Sequence, residues 1–332
     1  MSFIEDEIEA VKKFCLLERF QGLRLVTAAR AHVRVEISKS NVKTVAAIFQ
    51  FPPSYPSELI LVELKSKTLG ENFLKKLEQT IEEHAKNYLD DPQICRSVEF
   101  LYKFIEENPL CCCADEIAEI KREVLSSAKD EMKLKQKNSS IIISFNEGLF
   151  QHKISLCVPE NYPESRVTTD TVESNFPLAL QRFFQGQMTE IARRCVEPPL
   201  NKRKIKPNEA PFKPRPSVLP VVSFISEQIH VLPNEKCCFC NECCLPANPV
   251  DSVSDEQHDL HVERVYCGHL YHLKCLIEYM KTPPFDGGKK CVKCGKQIFH
   301  EKYKLSPALS EARWAHQQAR QRELDEVAEF LS

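Results

Sequence analysis

The chain has 332 residues, 42% of them hydrophobic, with a formal charge of -2 and sixteen cysteines. That length favours two or three compact units over one, and the near-neutral balance supplies no global field for holding nucleic acid or an anionic membrane. No run approaches the roughly 18 apolar residues of a membrane span, and the acidic stretch from Met1 to Ala10 lacks an apolar signal-peptide core. The thiols are therefore expected to be reduced and used for metal binding, catalysis or small apolar packing, in a soluble protein of the cytoplasm or the nucleus.

From Ile4 to Phe20 the apolar residues Ile4, Ile8, Val11, Phe14, Cys15 and Leu17 recur at helical spacing behind an acidic first turn, which predicts an amphipathic helix. Leu23 to Ala28, His32 to Ser38 and Val42 to Phe51 are rich in Val, Ile and Thr with partial alternation, as in an antiparallel meander. Phe51-Pro-Pro-Ser-Tyr-Pro56 removes backbone donors and fixes φ, so it predicts a rigid turn. A strand at Leu59 to Leu64 and helices at Glu71 to Tyr88 and Ile94 to Ile105 follow. The order then repeats: a helix from Ala114 to Lys129, strands at Ser140 to Asn146 and Phe150 to Val158, the turn Pro159-Glu-Asn-Tyr-Pro163, and a helix from Pro177 to Val196. Pro198 to Pro220 is too proline-rich for an ordinary helix or central strand and reads as a linker or extended crossing segment. Val221 to Val231 reads as a closing helix.

This order, with Tyr55-Pro56 and Tyr162-Pro163 ahead of the last strand, resembles the RWD domain, a relative of the ubiquitin-conjugating-enzyme fold, present here twice. The family usually carries a further proline where this chain has Ile60 and Val167. Neither copy has the His-Pro-Asn stretch and nucleophilic cysteine of an active conjugating enzyme, so the resemblance implies binding modules.

Further on, the chain reads Cys237-x2-Cys240, 26 residues, Cys267-x-His269-x2-His272-x2-Cys275, 15 residues, Cys291-x2-Cys294. A Cys-x2-Cys turn presents two thiolates to one edge of a tetrahedral zinc site. Cys237, Cys238, Cys240, Cys243 and Cys244 are crowded, and Cys240-x2-Cys243 meets the same rule; similarity to RING fingers, which place an apolar residue just before the second ligand, favours Cys237 with Cys240, since Phe239 then holds that position. The eight-ligand string resembles the RING finger. It is less like a PHD finger, which normally has Cys in place of His269 and an aromatic residue in place of Lys289. The RING resemblance implies two structural zinc ions in a cross-brace, one on Cys237, Cys240, His272 and Cys275 and the other on Cys267, His269, Cys291 and Cys294. Closed four-ligand sites leave no position for substrate, and a finger of this size needs the metal to fold.

The same resemblance implies docking of a ubiquitin-conjugating enzyme through Phe239, Leu276, Ile277, Tyr279, Pro283 and Pro284, and ubiquitin transfer to a protein substrate without a catalytic residue of the chain's own. Val292 and Gly295 stand where many ligases have proline and a basic residue, which leaves a non-catalytic adaptor as the rival function. The expected architecture is α+β: RWD-like domains at 1–110 and 111–233, the latter containing the Pro-rich segment 198–220, a RING finger at 234–300 and a helical tail at 301–332. It resembles the ubiquitin ligase of the Fanconi anaemia pathway. Three weaker features have modest readings. Lys202-Arg-Lys-Ile-Lys206 is taken as solvated linker before nuclear address, Cys111-Cys112-Cys113 as packing, and Ser306-Pro307 as the start of a helix through Leu331 with Trp314 as anchor for a partner.

Overall fold

The first helix, α1, runs Phe3–Phe14, with Glu5 and Asp6 in its first turn and Lys12 and Lys13 in its last, each matched to the helix dipole. It stops six residues short of the stretch predicted from periodicity. Cys15 to Phe20 instead folds through tight turns that bring Phe20 to 4.5 Å from Phe14 and 5.0 Å from Tyr102, ring centre to centre. A continued helix would carry Phe20 away from that aromatic cluster, and burial of the ring outweighs helical propensity. The computed structural model describes residues 3–39, 43–125, 127–198, 212–285, 288–298 and 307–331. Two compact units result: Met1–Phe145 with Lys153–Glu173 and Arg182–Ser226, and Asn146–His152 with Ser174–Gln181 and Glu227–Ser332.

In the first unit, strands β1 (Leu23–Ala28), β2 (His32–Ser38), β3 (Thr44–Gln50) and β4 (Leu61–Lys65) form an antiparallel sheet in that order. Register sets Val33 beside Phe49 and Phe49 beside Val62, and likewise Val35, Ala47 and Leu64. One face of the sheet is therefore continuously apolar. It shares a core with Ile8 and Val11 of α1, Leu74, Leu77 and Ile81 of α2 (Glu71–Ala85), and Ile94, Val98, Leu101 and Ile105 of α3 (Ile94–Glu107).

A second sheet, in the order β5 (Glu131–Lys135), β6 (Ser140–Glu147), β7 (Phe150–Cys157) and β8 (Thr168–Ser174), follows the short helix α4 (Ala114–Glu119). The sequence predicts helix through Lys129; in the structure α4 passes into one π turn at Ile120–Val124 and ends. The alternating charges of β5, Glu131, Lys133 and Lys135, leave no apolar run in its sequence and suit an exposed edge strand. Helix α5 (Leu178–Val196) buries Leu180, Phe184, Met188, Ala192 and Cys195 along one stripe, and α6 (Val218–Val231) closes the series. The N–H of Arg215 bonds the carbonyl of Cys195 at 2.9 Å. Lys202 to Lys206 and most of the Pro-rich segment, 199–211, lie outside the described residues. Cys111 and Cys113 are buried in a 3-10 turn, where Cys111 joins the first core.

Each sheet carries the same polar latch. The Tyr55 hydroxyl bonds Glu7 of α1, the N–H of Ile94 reaches Glu7 Oε1 at 2.8 Å, and the N–H of Gln93 reaches the Tyr55 hydroxyl at 3.1 Å. In the second sheet the Tyr162 hydroxyl bonds Glu116 of α4, the N–H of Leu219 reaches Glu116 Oε1 at 2.9 Å, and the N–H groups of Ser217 and Val218 reach the Tyr162 hydroxyl at 2.7 and 3.2 Å. A glutamate from the opening helix thus caps the closing helix, α3 or α6, whose first N–H groups otherwise have no acceptor. Both Tyr-Pro peptides are cis.

The departures at Ile60 and Val167 now have a physical reason. The N–H of Ile60 bonds Gln93 Oε1 at 3.0 Å, and the N–H of Val167 bonds Ser217 Oγ at 3.3 Å. Proline has no such donor. At both positions the chain uses a hydrogen bond to the residue preceding the closing helix.

Burial raises the Glu7 carboxyl pKa, against the hydrogen bonds from Tyr55, Ile94 and Gln93. The native state therefore keeps this proton to higher pH than the unfolded chain. Its stabilising contribution is full below the ordinary value near 4.5 and declines as pH rises through the raised one. In urea unfolding across a pH series, the stability gap between wild type and Glu7→Gln should shrink with rising pH in that window and then level off. Tyr55→Phe should cost about 1–3 kcal/mol, because it removes the hydroxyl that donates to buried Glu7 and accepts the N–H of Gln93.

Candidate metal centre

Two Cys-x2-Cys turns in the second unit are built alike. In the first, the N–H of Cys237 bonds the Glu242 carbonyl at 2.7 Å and the N–H of Asn241 bonds the Cys237 carbonyl at 2.9 Å; in the second, Cys291 bonds Lys296 at 2.7 Å and Gly295 bonds Cys291 at 2.8 Å. Bridges Lys236 to Cys243 and Lys290 to Gln297 close both. The residue after each second cysteine has positive φ, +62° at Asn241 and +71° at Gly295, and Asn and Gly are the residues that accept that region most readily. Gly295 thus has a backbone reason to be glycine.

Between these knuckles lies a hairpin, β9 (Val262–Arg264) with β10 (Leu270–His272), whose turn carries Cys267 and His269. β10 ends on His272 and leads directly into α7 (Leu273–Lys281), which places Cys275 in the first turn. The structure gathers Cys237, Cys240, His272 and Cys275 into one cluster and Cys267, His269, Cys291 and Cys294 into another, with the ligand atoms of each within 4.8 Å of one another. The first knuckle therefore joins the end of the hairpin and the helix, while the hairpin turn joins the second knuckle.

The geometry fits a tetrahedral ion. Sulfur at about 2.3 Å and nitrogen at about 2.1 Å from one zinc are about 3.6 Å apart along the tetrahedral edge. Cys240 and Cys275 Sγ lie 3.4 and 3.9 Å from His272 Nδ1, and Cys267 and Cys291 Sγ lie 3.3 and 3.4 Å from His269 Nδ1. His272 Nε2, with its hydrogen there, donates to the Cys243 carbonyl at 3.2 Å and leaves Nδ1 free to ligate. Cys243 serves this set through its carbonyl, and Cys237 pairs with Cys240. Both clusters can hold a metal ion, and a sulfur-rich closed donor set is consistent with zinc.

Electrostatics point the same way. Burial opposes ionisation of Cys291, but hydrogen bonds from the Tyr271 hydroxyl, the N–H groups of Cys294 and Lys293, and the Cys267 thiol outweigh it and bring the pKa down to about 6. Burial and the neighbouring thiols push Cys275 up to about 12 and Cys267 up to about 11. Crowded thiols thus resist joint ionisation, and a dication among them removes the repulsion.

Tyr271 went unrecognised in the ligand spacing. It is fully buried; its hydroxyl donates to Cys291 Sγ at 3.2 Å and accepts the N–H of Val292 at 3.2 Å. Cys238 of the first knuckle also lies in hydrogen-bond reach of that hydroxyl. An aromatic residue directly before His272 was the available signal. It ties both knuckles to β10.

The residues expected to meet a conjugating enzyme divide. Phe239 is 42% exposed with its ring 5.8 Å from that of Tyr279, Ile277 and Tyr279 are half-buried, and Pro283 and Pro284 are exposed. Leu276 is fully buried and belongs to the interior of this segment, because α7 turns that face inward. The tail helix α8 spans Pro307–Leu331, with Trp314 half-buried. No helix among the described residues is long and apolar enough to cross a membrane.

The family model of the RWD domain matches residues 3–105, the span of the first sheet and helices α1 to α3. RWD domains are protein-interaction modules that commonly engage ubiquitin-conjugating enzymes.

Metal analysis of the purified chain should give about two zinc ions, and chelation should unfold the segment around 235–298. Tyr271→Phe keeps all eight ligands but removes a donor to Cys291, so zinc affinity in a competition titration should fall about 10–100-fold.

Proposed function

We propose that the chain is a RING-type ubiquitin ligase. Its carrying observation is the pair of interleaved Cys/His clusters beside a partly exposed apolar surface formed by Phe239, Ile277, Tyr279, Pro283 and Pro284. In this reading residues 234–300 are a RING finger with two structural zinc ions. The zincs hold thiolates and imidazoles in place, and the surrounding side chains do the recognition. Phe239 and Tyr279 receive the ubiquitin-conjugating enzyme, and the finger restrains the thioester-linked ubiquitin for attack by a lysine. The rate gain is one of orientation, with no covalent intermediate on this chain.

Residues 111–233 are read as a second RWD-like domain, on the strength of the repeated Tyr-Glu latch and four-stranded sheet order. The pair would hold the protein substrate, as the resemblance to the Fanconi anaemia pathway ligase suggests, and the helix from 307 would act as an accessory docking element. A cytoplasmic location, with access to the nucleus, accompanies this reading.

Val292, 56% exposed at the second knuckle, favours a second reading, a non-catalytic adaptor, since many active fingers have proline there. Self-ubiquitination across a panel of conjugating enzymes separates the two. Wild type should form conjugates with at least one enzyme, Phe239→Ala should lose about tenfold in rate, and Cys267→Ala should be inactive. Silence of the wild type with every enzyme would support the adaptor.

A further inference from the structure

Lys289 is 7% exposed, a rare depth for a lysine. Its Nζ donates to the carbonyl of Thr282, the residue that caps the C-terminus of α7, and lies 4.6 Å from the ring centre of Tyr279 and 5.3 Å from that of Phe285. A cation there complements the negative end of the helix and both ring faces. Methionine would fill similar space without burying a charge, so packing alone does not call for lysine.

Both walls of the proposed docking surface converge on this ammonium. Tyr279 is held from its other end by its hydroxyl, which donates to the Lys290 carbonyl at 2.7 Å. Thr282 Oγ1 bonds the carbonyls of Glu278 and Tyr279, each at 3.2 Å, and the N–H of Gly288 bonds that of Phe285 at 3.2 Å. The backbone of Lys289 is itself fixed, since its carbonyl accepts the N–H of Ile298 at 2.7 Å and Cys291 lies two residues on.

We propose that Lys289 is the positioning residue of the docking surface: it transmits the location of the second knuckle to Tyr279 and to the turn carrying Pro283 and Pro284. This rests on the reading of that surface as the conjugating-enzyme site. Loss of the ammonium frees the turn while leaving all eight metal ligands in place. Arginine keeps a donor and a cation; methionine keeps neither.

The test uses the full chain as wild type, Lys289→Met, Lys289→Arg, Pro284→Ala and the Lys289→Met/Pro284→Ala double variant. Zinc content and thermal midpoint are measured beside calorimetric affinity for purified conjugating enzymes. Lys289→Met should keep its zinc and bind about tenfold more weakly, the loss of one charge-assisted hydrogen bond. Lys289→Arg should recover most of that loss. Pro284→Ala should cost affinity in the wild-type background and almost none in Lys289→Met, because a turn no longer held in place gains nothing from that proline. Additive effects, or full affinity in Lys289→Met, would overturn the assignment. A free-protein measurement judges it separately: hydrogen exchange at the Gly288 amide should quicken in Lys289→Met, and unchanged protection would sink the inference even if the enzyme binds. A wild type that binds no conjugating enzyme overturns the docking reading, and quickened exchange at Gly288 in that case would still uphold Lys289 as the fastener of the turn.

Discussion

A carboxylate placed inside the protein has to be surrounded by donors, and that requirement organises both sheets. Glu7 and Glu116 each come from the helix that opens a sheet, and each meets a tyrosine hydroxyl and the first N–H groups of the helix that closes it. Three elements distant in sequence are thereby fixed by one set of hydrogen bonds. The apolar cores supply most of the free energy, but they are tolerant of sliding. Directional bonds to a helix terminus are not, so the latch fixes where each closing helix begins.

The Cys/His segment follows a different logic. Its apolar interior is small, with Leu270, Tyr271, Leu273 and Leu276 among the buried side chains, and its organisation depends on ligand clusters that draw on separated stretches of chain. Tyr271 and the two knuckles place sulfur atoms with hydrogen bonds before any ion is considered. The exposed side chains of this segment take their placement from the two clusters, because α7 follows directly on His272 and Lys289 precedes Cys291 by two residues.

Much of this was legible in the residues. Paired cysteines announce metal sites because few other uses require that spacing, and the alternation in His32 to Ser38 announces a half-buried strand. The latch was hidden, since a glutamate in an acidic first turn looks like a dipole partner and only the fold brings Glu7 to Ile94, 87 positions away. β5 was hidden because an edge strand with alternating charge has the composition of a loop. Leu276 looked like a surface contact because the resemblance carries over a position along the helix without showing which way its side chain turns. Ile60 and Val167 looked like losses from a motif, whereas each exchanges a proline for a donor that a neighbouring side chain accepts.

The bond between Arg215 and Cys195 has a consequence for how this architecture can vary. It brings together the two ends of the stretch that separates α5 from α6, so the chain departs and returns at nearly the same point. Closing a longer loop costs only about 0.6 kcal/mol for each doubling of length. The cost of joining α5 to α6 in this way therefore depends only weakly on how many residues lie between Cys195 and Arg215, and the placement of the two helices is set by the bond rather than by the length of chain between them.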